Sequence, residues 1–456
     1  MTATIETTAP PLELTDALVE EVRDAVAAGS SDLVAALTGS LHAADLADLL
    51  QRLNREERVA VIGALGTAFD PETVAHLDEF VRDQVLEVLG PAAAGEMLAQ
   101  LETDDAVEIL ADFDEAQQAE ILAALPLPER EAIEQGLAFP EWSAGRLMQR
   151  EVVAVPDYWT VGQAIDFLRA KPDLPDDFYD IFLVDPRFRV VGDVPLGRLL
   201  RTRRAVPLTE IKYKELRSFS AEADQEEVAR AFRRYALVSA PVVDGDGRLL
   251  GAVTVDDVVD VIDQEAEDDL LKMGGVSEDD TYVPAVQTSL KRMPWLGVNL
   301  FTALLGAFVI AQFEGTIERL VSLATLMPLV AGMGGNAGTQ ALTVTVRSLA
   351  AGELSAGTSW RTIAKELVVG LLNGGTFLVA GAALALLLYG QPLLAAVFGA
   401  ALLINLVVAA VLGTTIPLLL DRLGQDPAVA SSVFLTPVTD ALGFFVFLGL
   451  ATVFLL

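Results

Sequence analysis

The chain of 456 residues contains no cysteine and only two histidines, His42 and His76. The first absence excludes a disulfide framework and a thiolate metal site. The second leaves metal chemistry to oxygen, because both histidines fall inside helical patterns and read as surface or packing residues. Oxygen donors favour the hard cations magnesium, calcium or manganese. Positive charge is also scarce: 31 Lys and Arg stand against 65 Asp and Glu, a net charge of −34. So acidic a surface repels nucleic acid and anionic lipid and attracts cations, so no nucleic-acid partner is expected. The N-terminus MTATIETTAPPLELTDAL lacks the basic and apolar regions of a signal peptide. Residues 1–20 read as a disordered tail. No nucleophile–base pair, glycine-rich phosphate loop or catalytic histidine is visible, and an enzyme is not expected.

What is abundant is apolar. Hydrophobic residues make up 52% of the chain and the mean hydropathy is +0.44. The charge is segregated. Residues 294–456 hold 7 acidic and 5 basic residues, leaving 58 and 26 in the preceding 293, a net of −32 there. A membrane protein follows a strongly acidic soluble one. Uncharged runs cover 293–313, 320–346 and 367–420. The last is too long for one span of about 20 residues, and YGQP at 389–392 divides it. Residues 426–456 are apolar after Asp426 apart from Asp440. Five helices are expected over 293–456. With the soluble half in the cytoplasm, the inside loops hold Lys291, Arg292, Arg347, Arg361, Lys365 and Arg422, and the outside loops only Arg319. This satisfies the positive-inside rule and places the C-terminus outside a plasma (inner) membrane.

Two internal repeats organise the soluble half. LHAADLADLLQRLNREERVAVIGAL (41–65) matches LETDDAVEILADFDEAQQAEILAAL (101–125) at an offset of 60, so an all-α solenoid-like N domain is expected over 21–140. DPRFRVVGDVPLGRLL from Asp185 matches DGDGRLLGAVTVDDVV from Asp244 at an offset of 59. Each is preceded by a helix and an apolar strand. This order resembles a tandem pair of CBS modules, here 141–205 and 206–262, an α/β unit that in some proteins binds adenine nucleotides. A helix and linker dense in acid follow over 256–291. Positions 257, 260, 264/265 and 268 follow i, i+3, i+4 spacing, so Asp257, Asp260, Glu265 and Asp268 form a carboxylate stripe that asks for a counter-ion.

The second apolar run carries MPLVAGMGGNAGTQALTVTVRSLA (327–350). Small residues let helices approach closely in a membrane. The polar residues need another reason, since intramembrane polar groups are costly and usually line a pathway. Asn336, Thr339 and Thr343 share one helical face and offer neutral oxygens. These suit a cation that keeps its water, and magnesium dehydrates reluctantly. Asp440 is the one ionisable residue well inside a span. With no intramembrane Lys, Arg or His to pair with, a cation site is the better reading.

The order of acidic helical domain, CBS pair, acidic connecting helix and five spans resembles the MgtE family of magnesium channels and transporters over almost the whole chain. The most specific stretches are PLVAGMGGNAGTQALTVTVRSLA and DPAVASSVFLTPVTDALGFFVFLGLA. The resemblance implies a homodimer in the lipid bilayer, with a pore at the two-fold axis lined by the second and fifth spans. It implies that Asp440 holds hydrated magnesium, with Asn336, Thr339, Thr343 and the Thr436 backbone lining the site. It further implies that magnesium bound between cytoplasmic domains closes the channel. The matching sensor positions are Glu226, Asp257, Asp260, Glu265, Asp268 and Asp269, with Asp105 and Asp112 on the helical domain. The chain departs from relatives at Ala236, where some carry an acid, with Arg233 one turn earlier. It departs also at Arg198, which replaces the acid that faces the ribose in ATP-binding relatives and so argues against ATP. Pro437 releases the Val433 carbonyl from its helical bond, adding a pore oxygen or a kink. Oxygen ligands also permit a manganese or cobalt carrier of the same architecture. A membrane-anchored nucleotide sensor is the reading from another class; an anchor has no use for Asp440 or a polar second span.

Overall fold

The computed structural model describes residues 14–172, 174–175, 178–276, 285–352, 354 and 359–456. The first 13 residues of the expected tail and linker residues 277–284 lie outside these. The chain divides into two compact units, Met1–Asp263 and Gln264–Leu456.

The first unit opens with ten α-helices among the described residues. They are α1 (Asp16–Ala27), α2 (Ser31–Thr38), α3 (Ala43–Arg52), α4 (Arg55–Leu65), α5 (Glu72–Ala75), α6 (Glu79–Leu98), α7 (Thr103–Ala111), α8 (Glu115–Ala124), α9 (Leu127–Leu137) and α10 (Ala144–Leu147). Helix α1 begins inside the expected tail: Thr15 caps it, and Leu18 and Val19 are buried. The 60-residue repeat is visible at the caps. Asn54 and Glu57 form a capping box on α4, and Asp114 and Gln117 form the same box on α8. Between the repeats, Gly90 at φ +76° and Pro91 break α6 into two segments. One apolar cluster, from Leu18 to Ile133, unites α1 to α9, while Ala144 of α10 belongs to a separate core with Val228 and Val242.

The second repeat forms β1 (Ala154–Pro156), α11 (Val161–Ala170), β2 (Asp180–Val184), β3 (Val190–Pro195), α12 (Leu196–Arg201) and α13 (Leu208–Ile211). It then forms β4 (Phe219–Ser220), α14 (Gln225–Tyr235), β5 (Ser239–Val243), β6 (Leu249–Thr254) and α15 (Val255–Gly274). Two three-stranded sheets result, β1-β2-β3 and β4-β5-β6, each with one parallel and one antiparallel pair. The 59-residue offset recurs atom for atom. Asp185 Oδ1 accepts the Arg187 and Arg189 amides, and Asp244 Oδ1 accepts those of Asp246 and Arg248. The left-handed turn position is Gly247 in one module and Phe188 in the other.

The second unit holds α16 (Ala285–Gln312), α17 (Glu314–Arg319), α18 (Ser322–Ala350), α19 (Ser359–Tyr389), α20 (Pro392–Arg422) and α21 (Pro427–Leu455). The expected division at YGQP is Gly390, at φ +66°, and Gln391. Among the described residues, four helical segments are long and apolar enough to cross a membrane: Ala285–Gln312, Ser359–Tyr389, Pro392–Arg422 and Phe434–Leu455. Helix α18, with 29 residues and about 43 Å long, has the length without the hydropathy. Glycines bring the helices together. A Cβ on Gly374 would press on Leu403, one on Gly399 on Leu378, and one on Gly413 on the Gly338 carbonyl. Gly334 against Asn405 and Gly338 against Gly413 run α18 parallel to α20, and the contacts of Gly374 and Gly399 run α19 antiparallel to it.

Candidate functional site: an ion pathway and an acidic cluster

Helix α18 has two faces. Leu323, Leu326, Val330, Gly334, Gly338, Ala341, Leu342 and Thr345 are buried against its neighbours. Asn336, Thr339 and Thr343 lie on the opposite, exposed stripe. Thr345 thus belongs to the packed face and satisfies its hydroxyl on the Ala341 carbonyl at 2.7 Å. The Thr343 hydroxyl likewise donates to the Thr339 carbonyl at 2.9 Å, leaving its oxygen lone pairs for another partner.

Helix α21 packs beside α18, with Leu435 seated on Gly338. Asp440 lies one turn beyond Leu435, half-buried, and its carboxylate has no hydrogen-bond or ion-pair partner among the described residues. Thr436 is exposed, and its carbonyl accepts the Thr439 hydroxyl at 2.9 Å. That oxygen is therefore shared, while Pro437 lies within the helix as its sequence position requires.

The acids of the first unit gather where α7 meets the start of α15. Burial, reinforced by the negative charge of Asp257, pushes Glu102 and Asp105 each up to about 7. Asp257 rises to about 6, mainly through burial, although Thr254 donates to its Oδ2 at 2.6 Å. Asp260 is raised by burial while His76 opposes the shift. Asp104 is held well above the usual carboxylate range by burial and by Asp257, and its Oδ2 is buried without a partner. The structure therefore brings together Asp105, Asp257 and Asp260, and adds Glu102, Asp104, Glu108 and Asp256. The missed acids had a signal: repeat positions 102 and 104 are His42 and Ala44 in the first copy, so packing alone requires no acid there.

Asp112 is drawn elsewhere. It ion-pairs with Arg82, whose side chain is 7% exposed and also lies 3.7 Å from Glu108. Glu226 sits 3.8 Å from Arg230 on its own helix. In the second unit, Lys272 reaches Asp268 and Asp426, each at 3.2 Å. The counter-ion that the acidic stripe asks for is thus partly built in. Asp269, raised by burial and by Asp426, borders this group, with Glu265 close enough to add to the shift. Beside Lys272, Met273 packs against the cluster of Leu342, Val346, Ala428 and Leu435.

No group of three or more His, Asp or Glu side chains among the described residues converges closely enough to ligate one metal ion. The donor chemistry of the α7–α15 cluster nonetheless fits a hard cation: it is all oxygen, and Asp104 Oδ2 is buried without a partner among the described residues. In the CBS pair, Arg198 donates to the Ile211 and Lys212 carbonyls and stacks on Tyr213. Its guanidinium is engaged by the protein's own backbone and offers no acceptor to a ribose hydroxyl.

Comparison with known proteins covers the same three regions. Residues 41–142 match the MgtE intracellular N domain, 209–264 a CBS domain, and 327–450 the family described as divalent cation transporter. A Thermus thermophilus protein, magnesium transporter MgtE, is 33% identical over 96% of this chain and 98% of its own. Its Bacillus subtilis namesake is 31% identical over 90% and 91%. A solved structure, the cytosolic domain of the Mg2+ channel MgtE in complex with ATP, is 32% identical, covering 53% of this chain and 99% of that one with a TM-score of 0.50. With its acidic helical domain, its CBS pair and its polar α18 packed on α21, the chain belongs to the MgtE family of magnesium transporters.

Proposed function

We propose that this protein moves Mg2+ across the cell's inner (plasma) membrane through a pathway lined by α18 and α21, and that Mg2+ bound to its acidic regions closes it. The observation that carries the reading is Asp440, a carboxylate without a hydrogen-bond or ion-pair partner among the described residues, in a helix with no other charged side chain. Such a group is tolerated where it meets water or a cation. The exposed stripe of Asn336, Thr339 and Thr343 adds neutral oxygens suited to an ion that keeps its hydration shell.

That stripe faces away from its own chain's helices, and lipid is a poor partner for it. A second copy of the chain would cover it and place two Asp440 side chains around one axis, which supports a homodimer. The parallel run of α18 and α20, with α19 antiparallel, supports α18 as a fifth pass despite its polarity. The soluble half then lies in the cytosol and the C-terminus outside.

Closure rests on charge. Carboxylates crowded at α7 and α15 repel, at roughly 4 kcal/mol for a pair 4 Å apart in a medium of dielectric about 20. Divalent ions bridging Asp105, Asp257, Asp260 and their neighbours would cancel this, so the transported ion would report its own abundance. Around Glu265, Asp268 and Asp269 the same logic applies, with Lys272 already supplying one charge. The discriminating experiment is Mg2+ flux into proteoliposomes, wild type against Asp440→Asn, which keeps the shape and removes the charge. Unimpaired flux in the variant would sink the pathway reading. Limited proteolysis of the soluble half across millimolar Mg2+ tests the sensing reading: without Mg2+-dependent protection, the acids are only a solvated surface.

A further inference from the structure

Asn405, in the middle of α20, is 1% exposed in the most apolar of the four candidate spans. Among the buried threonines of this unit, Thr345, Thr414 and Thr439 are satisfied on their own helices, and Thr316 meets the Thr452 hydroxyl. Asn405 instead reaches the backbone of another helix: its Nδ2 donates to the Val330 carbonyl of α18 at 2.8 Å. Its Oδ1 is buried with no partner among the described residues. A leucine has similar volume, fills an apolar notch and leaves no acceptor stranded, so packing alone does not account for an amide here.

The surroundings show what the amide touches. A Cβ added to Gly334 of α18 would overlap Asn405 Nδ2, and one added to Gly443 of α21 would stand 2.8 Å from the same atom. The side chain thus sits between two glycine notches, one on each of the helices read above as lining the pathway. Gly334 is two residues before Asn336, and Gly443 is three residues after Asp440. The hydrogen bond fixes α18, and the close glycine contact fixes α21.

We propose that Asn405 is a positioning residue of the permeation pathway: clamped between Gly334 and Gly443, its amide sets the separation of α18 and α21 and thereby the preference among divalent ions. A hydrated ion is discriminated by the spacing of the oxygens around it, so a change in spacing alters ions of different size and dehydration cost unequally. Loss of folded protein lowers all fluxes by one factor. This inference rests on the reading of α18 and α21 as the pathway walls.

The test uses the full chain in proteoliposomes, with Mg2+, Mn2+ and Ca2+ fluxes measured separately. Asn405→Leu keeps volume and removes the tether; Gly443→Ala keeps the tether and presses on the amide. Each is expected to shift the Mg2+ to Mn2+ or Mg2+ to Ca2+ flux ratio by about threefold or more. Unchanged ratios in Asn405→Leu, with all fluxes lowered alike or not at all, overturn the proposal. If Asn405→Leu does not assemble, the ratio in Gly443→Ala decides by the same criterion. Asp440→Asn, run in parallel, separates the two readings. Normal flux there overturns the pathway itself, whereas blocked flux there with unchanged ratios in the Asn405 and Gly443 variants overturns only the clamp.

Discussion

The α7–α15 cluster and the α18–α21 region use the carboxylate in opposite ways. The cluster crowds Glu102, Asp104, Asp105 and Asp257 so closely that burial and mutual repulsion raise their protonation range toward neutrality. Helices α18 and α21 hold a single carboxylate, Asp440, among amides, hydroxyls and bare backbone. Dense charge suits an ion that should stay bound until its concentration falls. Sparse charge and neutral oxygen suit an ion that must enter and leave again. The function proposed above asks for both kinds of site, and the contrast gives each a separate way to fail.

Asp440→Asn should have the largest effect. Mg2+ uptake is expected to fall by at least about tenfold, equivalent to about 1.4 kcal/mol, with elution from a sizing column unchanged. Next is Arg82→Met, which leaves Asp112 and Glu108 without their buried cation. A loss of about 3 kcal/mol is expected in urea unfolding of the soluble part, and added Mg2+ should recover some of it. Neutralising Asp105 and Asp257 to Asn should raise the Mg2+-free melting temperature of the soluble part by a few degrees, roughly 2–4 °C for each kcal/mol of repulsion removed. The same double variant should lose most of the further rise that Mg2+ gives to wild type. A Mg2+ response equal to wild type would remove these two residues from the sensing site.

The smallest effect is in protons. Glu102 and Asp105 titrate near 7 and Asp257 near 6 when folded without metal, above the carboxylate range of the unfolded chain. Groups raised on folding favour the folded state most at acidic pH. That advantage is lost as pH rises from about 4 through about 7. Mg2+-free soluble protein should therefore lose stability across this window. Mg2+ binding near pH 6.5 should also release protons. Calorimetry in two buffers of different ionisation enthalpy reads the release directly; equal apparent enthalpies would show that the acids are already ionised.

The architecture was largely legible because it is repetitive and because charge interrupts it. Asn54 and Asp114 cap equivalent helices, Asp185 and Asp244 close equivalent turns, and the helix break falls at Gly390–Gln391 within YGQP. The start of α1 was missed because a polar, proline-bearing tail runs straight into it. Residues on one helix, such as Asn336, Thr339 and Thr343, follow from periodicity. Partners across helices do not: nothing in the sequence pairs Asp112 with Arg82, Lys272 with Asp426, or Asn405 with Val330. Those contacts depend on packing angles that glycine positions permit and do not by themselves specify.

The two CBS modules share a fold and differ at one turn position. Phe188 stands at φ +63° where its counterpart is Gly247 at φ +79°. A side chain in that conformation costs about 1–2 kcal/mol, which glycine avoids. In return the phenyl ring walls a groove of about 340 Å3 that Arg150, Phe167 and Lys171 also line. Glycine brings no ring to the matching position. Duplication has thus left the halves chemically inequivalent, and exchanging the residues at 188 and 247 would relieve strain in one module only by introducing it in the other.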